Sequence, residues 1–304
     1  MKKKMMLFKV KNGLLYKMHE MACEMESRIG VDRKWRTYQK YMVSLKHVEA
    51  YIHNMGKSDV NIKKVNKNFV VSFVEYLSRV KHLHCSSIWI YLMPLKKVIN
   101  EALRDGRLSE NPFKDFRVTP KVRDRAYLDI QEVGRVKSLQ GLSRYDSLIR
   151  DAFVFSCLTG LSFSDIKKLK TDALKIVGQH HWIIGKREKT GETFMVRLLP
   201  EAFEILAQRL DVTSESVFPI GSNTYVNTRI RQIMSMADIS KEITFHCARH
   251  TFAVLALNSG MSIEHLSKVL GHKNISTTQI YAKVTPIGLE KEFEKVEKSI
   301  SGSL

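Results

Sequence analysis

Apolar residues recur at intervals of three and four across most of the first 105 residues, and this constrains the fold more than any other feature of the chain. Tyr41, Leu45, Val48 and Ile52 share one stripe of a helix that Thr37 can cap and that runs to about His53. Asn66 starts a second helix, with Phe69, Phe73 and Tyr76 or Leu77 inward. Ser86 or Ser87 starts a third, in which Ile88, Leu92, Leu95, Ile99 and Leu103 repeat. Pro94 lies inside that pattern and predicts a kink or an early break, because proline lacks the backbone donor and clashes with the preceding turn. The run Gly106 to Phe113 then reads as a helix stop and turn.

Residues 114–125 are polar and basic with one proline, and the pattern changes after them. Helices are expected at about 129–138, 144–158, 163–172, 200–210 and 224–236, and again after His246. The β-prone runs 181–185 and 193–199 flank a charged stretch, 186–192, and so predict a β-hairpin with a charged tip. The chain thus divides into a basic N-terminal segment (1–30), an all-helical domain (31–116), a linker (117–125) and a second domain (126–304). The expected fold class is mostly α with a small β-sheet in the second domain. Leu289, Phe293 and Val296 sit at helical spacing in its tail and could pack on their own domain or on a neighbour.

Lys plus Arg is 50 against 31 Asp plus Glu, a net charge of +19. The first 120 residues hold 24 basic and 11 acidic residues, the remainder 26 and 20. So strong an excess in the helical half points to a polyanion, nucleic acid ahead of an acidic membrane surface. Cys23, Cys85, Cys157 and Cys247 are far apart with no CxxC pair, which suits a reducing compartment. The basic N-terminus carries too short an apolar run for a signal sequence or a membrane span. A cytoplasmic chain with no membrane partner is expected, nucleoid-associated if DNA is what it binds.

The last third carries the chemistry. His246 and Arg249 are three apart at the start of a helical stretch, so both can face one small target. Gly271 is a helix terminator that leaves His272 in the turn after it. Ser276 can cap the next helix, with Tyr281 about one and a half turns inside. His246 and His250 are spaced like a metal pair, but the glutamate of a zinc protease motif and a third ligand are missing, and no metal is expected.

His-x-x-Arg, then Leu270-Gly271-His272, then Tyr281 nine residues later resembles the tyrosine recombinase (phage integrase) family, and residues 270–282 resemble its closing motif almost letter for letter. Thr159-Gly160-Leu161 with Ser164-Asp165-Ile166 resembles its opening motif, Lys189-Thr190-Gly191 its catalytic lysine turn, and Asn111-Pro112-Phe113 the end of its DNA-binding domain. The resemblance spans about residues 35–285 and implies a helical core-binding domain and an α/β catalytic domain that clamp double-stranded DNA. By that resemblance Tyr281 is the nucleophile that forms a 3′-phosphotyrosine. Arg249 clamps the phosphate, His246 and His272 donate hydrogen bonds, His246 also takes the tyrosine proton, and Lys189 protonates the departing 5′ oxygen. No cofactor is implied. Four protomers would act on two DNA sites, with accessory DNA-bending proteins as further partners.

The chain departs from the family at Ser162, where the opening motif carries an arginine. Serine supplies no guanidinium, so another cation must take its place or the chemistry is weakened. Arg150 is the leading candidate, with Lys167 and Lys168 nearer in sequence. Two other readings stay open: a DNA-binding accessory protein that has lost turnover, and a topoisomerase-like enzyme that relaxes a single duplex. Only about 30 residues precede the first helix read here, too few for a separate arm-binding domain, which favours an inversion, resolution or small-element enzyme.

Overall fold

The computed structural model describes residues 12–119, 126–188, 191–210 and 216–281, and four positions of the tail, Phe293, Glu294, Glu297 and Ile300. The chain forms two compact units, Met1–Arg123 and Asp124–Leu304.

The first unit is built from α1 (Leu14–Ser27), α2 (Trp35–Asn54), α3 (Lys67–Glu75) and α4 (Cys85–Arg104). α1 corrects the sequence reading, which set residues 1–30 outside the domain. Its Leu14, Met18, Met21 and Met25 recur at four, three and four and are all buried, and Leu14, Met18 and Met21 share one core with Leu45, Val48, Ile52, Phe73, Leu95 and Ile99 of the later helices. Its first turn is held from a distant loop: Asp59 accepts from the N–H groups of Leu15 (2.9 Å) and Tyr16 (3.3 Å). A carboxylate there satisfies donors that a helix start otherwise leaves bare.

α2 starts two residues before Thr37, and α3 is capped as expected, Asn66 Oδ1 accepting from Phe69 N–H at 3.0 Å. α3 then widens into a π turn, Tyr76–Val80. α4 continues through Pro94 without a break. The proline removes the helical donor of the Ile90 carbonyl, one residue along the carbonyl of Tyr91 accepts from Ser44 Oγ of α2 at 2.6 Å, and Pro94 is itself buried. Gly106 then takes a left-handed φ of +66° and stops the helix.

The second unit runs α5 (Ile130–Ser138), α6 (Arg144–Thr159), α7 (Phe163–Lys167), strands β1 (Leu174–Val177), β2 (His180–Lys186) and β3 (Thr193–Arg197), then α8 (Pro200–Arg209), α9 (Asn223–Met236), α10 (Phe245–Asn258), α11 (Ile263–Val269) and α12 (Ser276–Gln279). α6 is buried over an unbroken run from Asp151 to Thr159, including Phe153, Val154 and Phe155. A helix apolar on all sides must be enclosed, and α5, α8, α9 and α10 pack around it. The expected helix over 163–172 ends early, because Leu169 turns into the core and a short 3-10 turn, Thr171–Ala173, follows.

The sheet is antiparallel in the order β1-β2-β3, with Ile183 opposite both Leu174 and Val196. Ile183, Phe194 and Val196 turn into the core. β2 and β3 are the expected hairpin. β1 went unread because Ile176 and Val177 are 73 % and 48 % exposed and give no inward–outward alternation. Beyond Lys186 the ladder gains one more bond, Arg187 N–H to Glu192 O at 2.8 Å, which fixes Arg187 at the base of the hairpin tip. No described helix is long and apolar enough to cross a membrane.

Candidate active site

Arg249 faces inward from the second turn of α10. The start of that helix is anchored by Phe245, whose N–H donates to Asn227 Oδ1 of α9 at 2.8 Å and whose ring meets Phe153 and Phe163 edge-on. The Arg249 guanidinium is buried and spans three acceptors: Gly160 O (2.8 Å), Leu270 O (2.6 Å) and His272 Nε2 (2.8 Å). Gly160 ends α6 at φ +69°, and a Cβ there would stand 2.5 Å from the Phe252 ring and 2.8 Å from Leu270. The missing side chain therefore lets the end of α6 close on α10 and deliver its carbonyl to Arg249. Burial, and then the nearby charge of Arg187, lowers Arg249 to about 10. It remains a cation at neutral pH.

Gly271 terminates α11 at φ +58°, as read from the sequence, and His272 lies in the turn beyond. A guanidinium can only donate, so His272 Nε2 is the accepting nitrogen. The ring proton therefore sits on Nδ1 and is donated to the buried Thr278 Oγ1 at 2.8 Å. Burial, followed by the charges of Arg249 and Arg187, depresses His272 to about 4, so the ring is neutral at pH 7.

Tyr281 does not lie inside a long helix. α12 is a single turn with Ile275, not Ser276, at its N-cap, and Tyr281 follows it with its N–H bonded to Thr278 O at 2.9 Å. The ring supplies the reason: it is buried against Ala253, Leu266 and Leu270, which draws the chain in. It lies within 10° of parallel to His272 with centroids 6.4 Å apart, and 5.0 Å from the ring of His250. Arg249 also lies close enough to the Tyr281 phenol that a negative charge there would favour the guanidinium. Arginine, histidine and phenol thus meet within one chain.

A second guanidinium, Arg187, stands beside them and was missed by the sequence reading. It is buried, donating from Nη1 to Asp165 Oδ2 (2.6 Å) and from Nη2 to Val269 O (3.0 Å), and it lies over the Phe194 ring at 4.3 Å. Asp165 in turn accepts from Glu188 N–H at 3.1 Å and from Ser162 Oγ at 2.7 Å, Ser162 being the N-cap of α7. Burial opposes ionisation of Asp165, but Arg187 and these donors outweigh it and hold the carboxyl below its ordinary range. The available signal was its place at the base of the expected hairpin's charged tip.

The remaining candidates are placed as follows. His246 is exposed, one turn before Arg249 on α10. Arg150 does not reach this cluster. Its guanidinium is bound by Asp151 (2.8 Å) and the carbonyl of Leu139 (2.6 Å), and Asp151 is shared with Arg209 of α8, so it closes a structural contact between α6, the end of α5 and α8. The expectation that it replaces the missing arginine is therefore corrected. Lys167 donates to Gly221 O at 3.0 Å and Lys168 pairs with Glu188 at 2.8 Å, both exposed. Lys189 lies outside the described residues.

Two family models match the chain, the phage integrase family over residues 136–286 and the phage integrase SAM-like domain over residues 16–118. Among curated proteins, the tyrosine recombinase XerD of Listeria monocytogenes serotype 4b is 26 % identical over 281 residues, 85 % of this chain and 91 % of the relative. A tyrosine recombinase of Pseudothermotoga lettingae is 25 % identical over 260 residues, covering 83 % and 88 %. Among solved structures, lambda integrase bound to a COC′ core site matches with a TM-score of 0.70 at 20 % identity, over 88 % of this chain and 95 % of that one. The Tn1549 transposon integrase in complex with transposon right end DNA matches with a TM-score of 0.71 at 17 % identity, over 94 % and 99 %.

Proposed function

We propose, for a chain that belongs to the phage integrase family, that it is a site-specific DNA recombinase of the tyrosine type. One observation carries the reading: a buried guanidinium, a neutral imidazole with an assigned tautomer and a tyrosine hydroxyl converge in the same turn region. This is the equipment that attack on a phosphodiester requires, since charge builds on the non-bridging oxygens and must be met by fixed donors.

In this reading Tyr281 Oη forms a bond to phosphorus and the bond from phosphorus to the 5′ oxygen breaks. The phenol proton leaves to His246, and the 5′ oxygen takes a proton from Lys189. Arg249 holds the phosphate through a planar fork of charged donors. The phosphotyrosine conserves the energy of the broken ester, so the reverse attack by a 5′ hydroxyl rejoins DNA without a nucleotide cofactor. In the resting arrangement His272 Nε2 accepts from Arg249, so the ring must surrender that bond, or swap its proton, before it can donate to a phosphate oxygen.

Double-stranded DNA as the partner is supported by the net charge of +19 and by the names of the relatives and the DNA-bound neighbours. A tetramer on two sites, accessory DNA-bending proteins and a place on the nucleoid follow from the same reading. Of the tail helix proposed for assembly, Leu289 and Val296 lie outside the described residues, while Phe293 is 65 % exposed.

Covalent capture tests the reading. The protein is incubated with nicked duplexes cut from the DNA flanking its own gene, with Tyr281→Phe alongside. A denaturant-resistant protein–DNA adduct that vanishes in the variant is expected. Tight binding of a fragment that is never cleaved would instead support the accessory-protein reading.

A further inference from the structure

Two guanidiniums bracket one four-residue turn. Val269 O accepts from Arg187, Leu270 O from Arg249, Gly271 packs on Arg187, and His272 Nε2 accepts from Arg249. The fit at Gly271 is close: a Cβ there would lie 2.8 Å from Arg187 Nε and 3.0 Å from its Cγ. Both cations are buried, and among the described residues Asp165 is the one carboxylate that bears on both. With His272 neutral, the cluster keeps an uncompensated positive charge.

A structural ion pair needs no such excess. Burying two like charges is costly, and one carboxylate removes only part of the cost. Arg187 also has donors in reserve. Of the five N–H groups of a guanidinium, it commits one to Asp165 and one to Val269, and its buried Nε has no hydrogen-bond partner among the described residues. An anion of tetrahedral geometry, bound between the two forks, would supply the missing counter-charge and take up those donors.

The location bears on Ser162. Ser162 Oγ and Arg187 Nη1 meet on the same oxygen, Asp165 Oδ2, at 2.7 and 2.6 Å. Serine at the start of α7 leaves the volume beside Asp165 to a guanidinium that arrives from the hairpin instead. We propose that Arg187 is the second phosphate-binding cation of the site, delivered from the base of the hairpin tip just past β2 in place of an arginine at position 162. This inference rests on the strand-transfer reading above. It makes Arg187 a catalytic residue that touches a non-bridging oxygen of the scissile phosphate.

The test compares wild type, Arg187→Ala, Arg187→Lys and the relocated pair Ser162→Arg with Arg187→Ser on nicked duplexes in which the scissile group is either the normal phosphate or a methylphosphonate. The second probe lacks one non-bridging negative charge. On phosphate, Arg187→Ala is expected to lose adduct formation by about 10²–10³-fold, the usual loss for a fixed transition-state donor. Arg187→Lys keeps part of the activity, and the relocated pair recovers more than Arg187→Ala. On the methylphosphonate, the gap between wild type and Arg187→Ala should shrink to roughly tenfold or less, since the charge that the cation meets is gone. Misfolding would depress both substrates alike, so an equal loss on both overturns the proposal, as does an Arg187→Ala variant that cleaves phosphate within a few-fold of wild type. A wild-type protein that forms no adduct on a site it binds would overturn the strand-transfer reading itself, and this inference with it.

Discussion

Arg249 donates to His272 Nε2 at 2.8 Å, and this bond decides where the imidazole carries its proton. Because Nε2 accepts, Nδ1 must donate, and Thr278 Oγ1 at 2.8 Å is its acceptor. Thr278→Val keeps the shape and removes the acceptor. It should leave the fold within about 1–3 kcal/mol of wild type, the cost of one buried donor without a partner, and lower the cleavage rate by about 10–100-fold, as is usual when an orienting partner is lost. Nitrogen NMR of the labelled ring reads the tautomer directly: a clean Nδ1–H form in wild type and a mixture in the variant.

His272 also makes stability depend on pH. Its ordinary value near 6.5 falls to about 4 in the folded chain. Between those values the unfolded state holds the extra proton, so stability rises with pH across the window and is lost as the pH falls from 6.5 towards 4. The contribution is on the order of 2–3 kcal/mol. Urea denaturation at pH 7 and pH 4.5 should show that much less dependence for His272→Gln than for wild type.

Gly271 is constrained twice, by its φ of +58° and by Arg187 against its α-carbon. Gly271→Ala should cost roughly 2–4 kcal/mol, from left-handed strain and overpacking together. A Gly271→Ala, Phe194→Leu double variant, which loosens the ring beneath Arg187, should recover part of the packing cost and none of the φ cost. Thermal unfolding measures both.

The cap on α1 makes a prediction confined to the first unit. Asp59→Ala removes the acceptor of the Leu15 and Tyr16 N–H groups and should destabilise that unit by about 1–2 kcal/mol. Hydrogen exchange should speed up at the first turn of α1 and stay unchanged in α6 and α10.

Much of this could be read in the sequence, and the gaps have physical causes. α3 and its Asn66 cap followed from local rules, because cap and apolar stripe are both short-range signals. α1 was passed over although its stripe is regular, since methionines among glutamates just after a lysine-rich start look like a solvated arm until a core exists to bury them. Arg249, His272 and Tyr281 were legible through motif spacing, whereas the one-turn α12 was not, because the burial of Tyr281 is a tertiary effect. Arg187 was hidden for the same reason. Its role depends on Asp165, 22 residues earlier, and on the turn at Gly271, 84 residues later, and no window along the chain contains both. Arg150 looked plausible only while its partners Asp151 and Leu139 were unknown.

The central claim is that Tyr281 becomes covalently joined to DNA, and mass spectrometry of the captured adduct addresses it most directly. After nuclease and trypsin digestion, the nucleotide remnant is predicted on the peptide that spans residues 274–283, attached to Tyr281 through a 3′ phosphate, with a free 5′ hydroxyl on the released strand. A remnant on any other residue, or a released strand that carries a 5′ phosphate, would contradict the account.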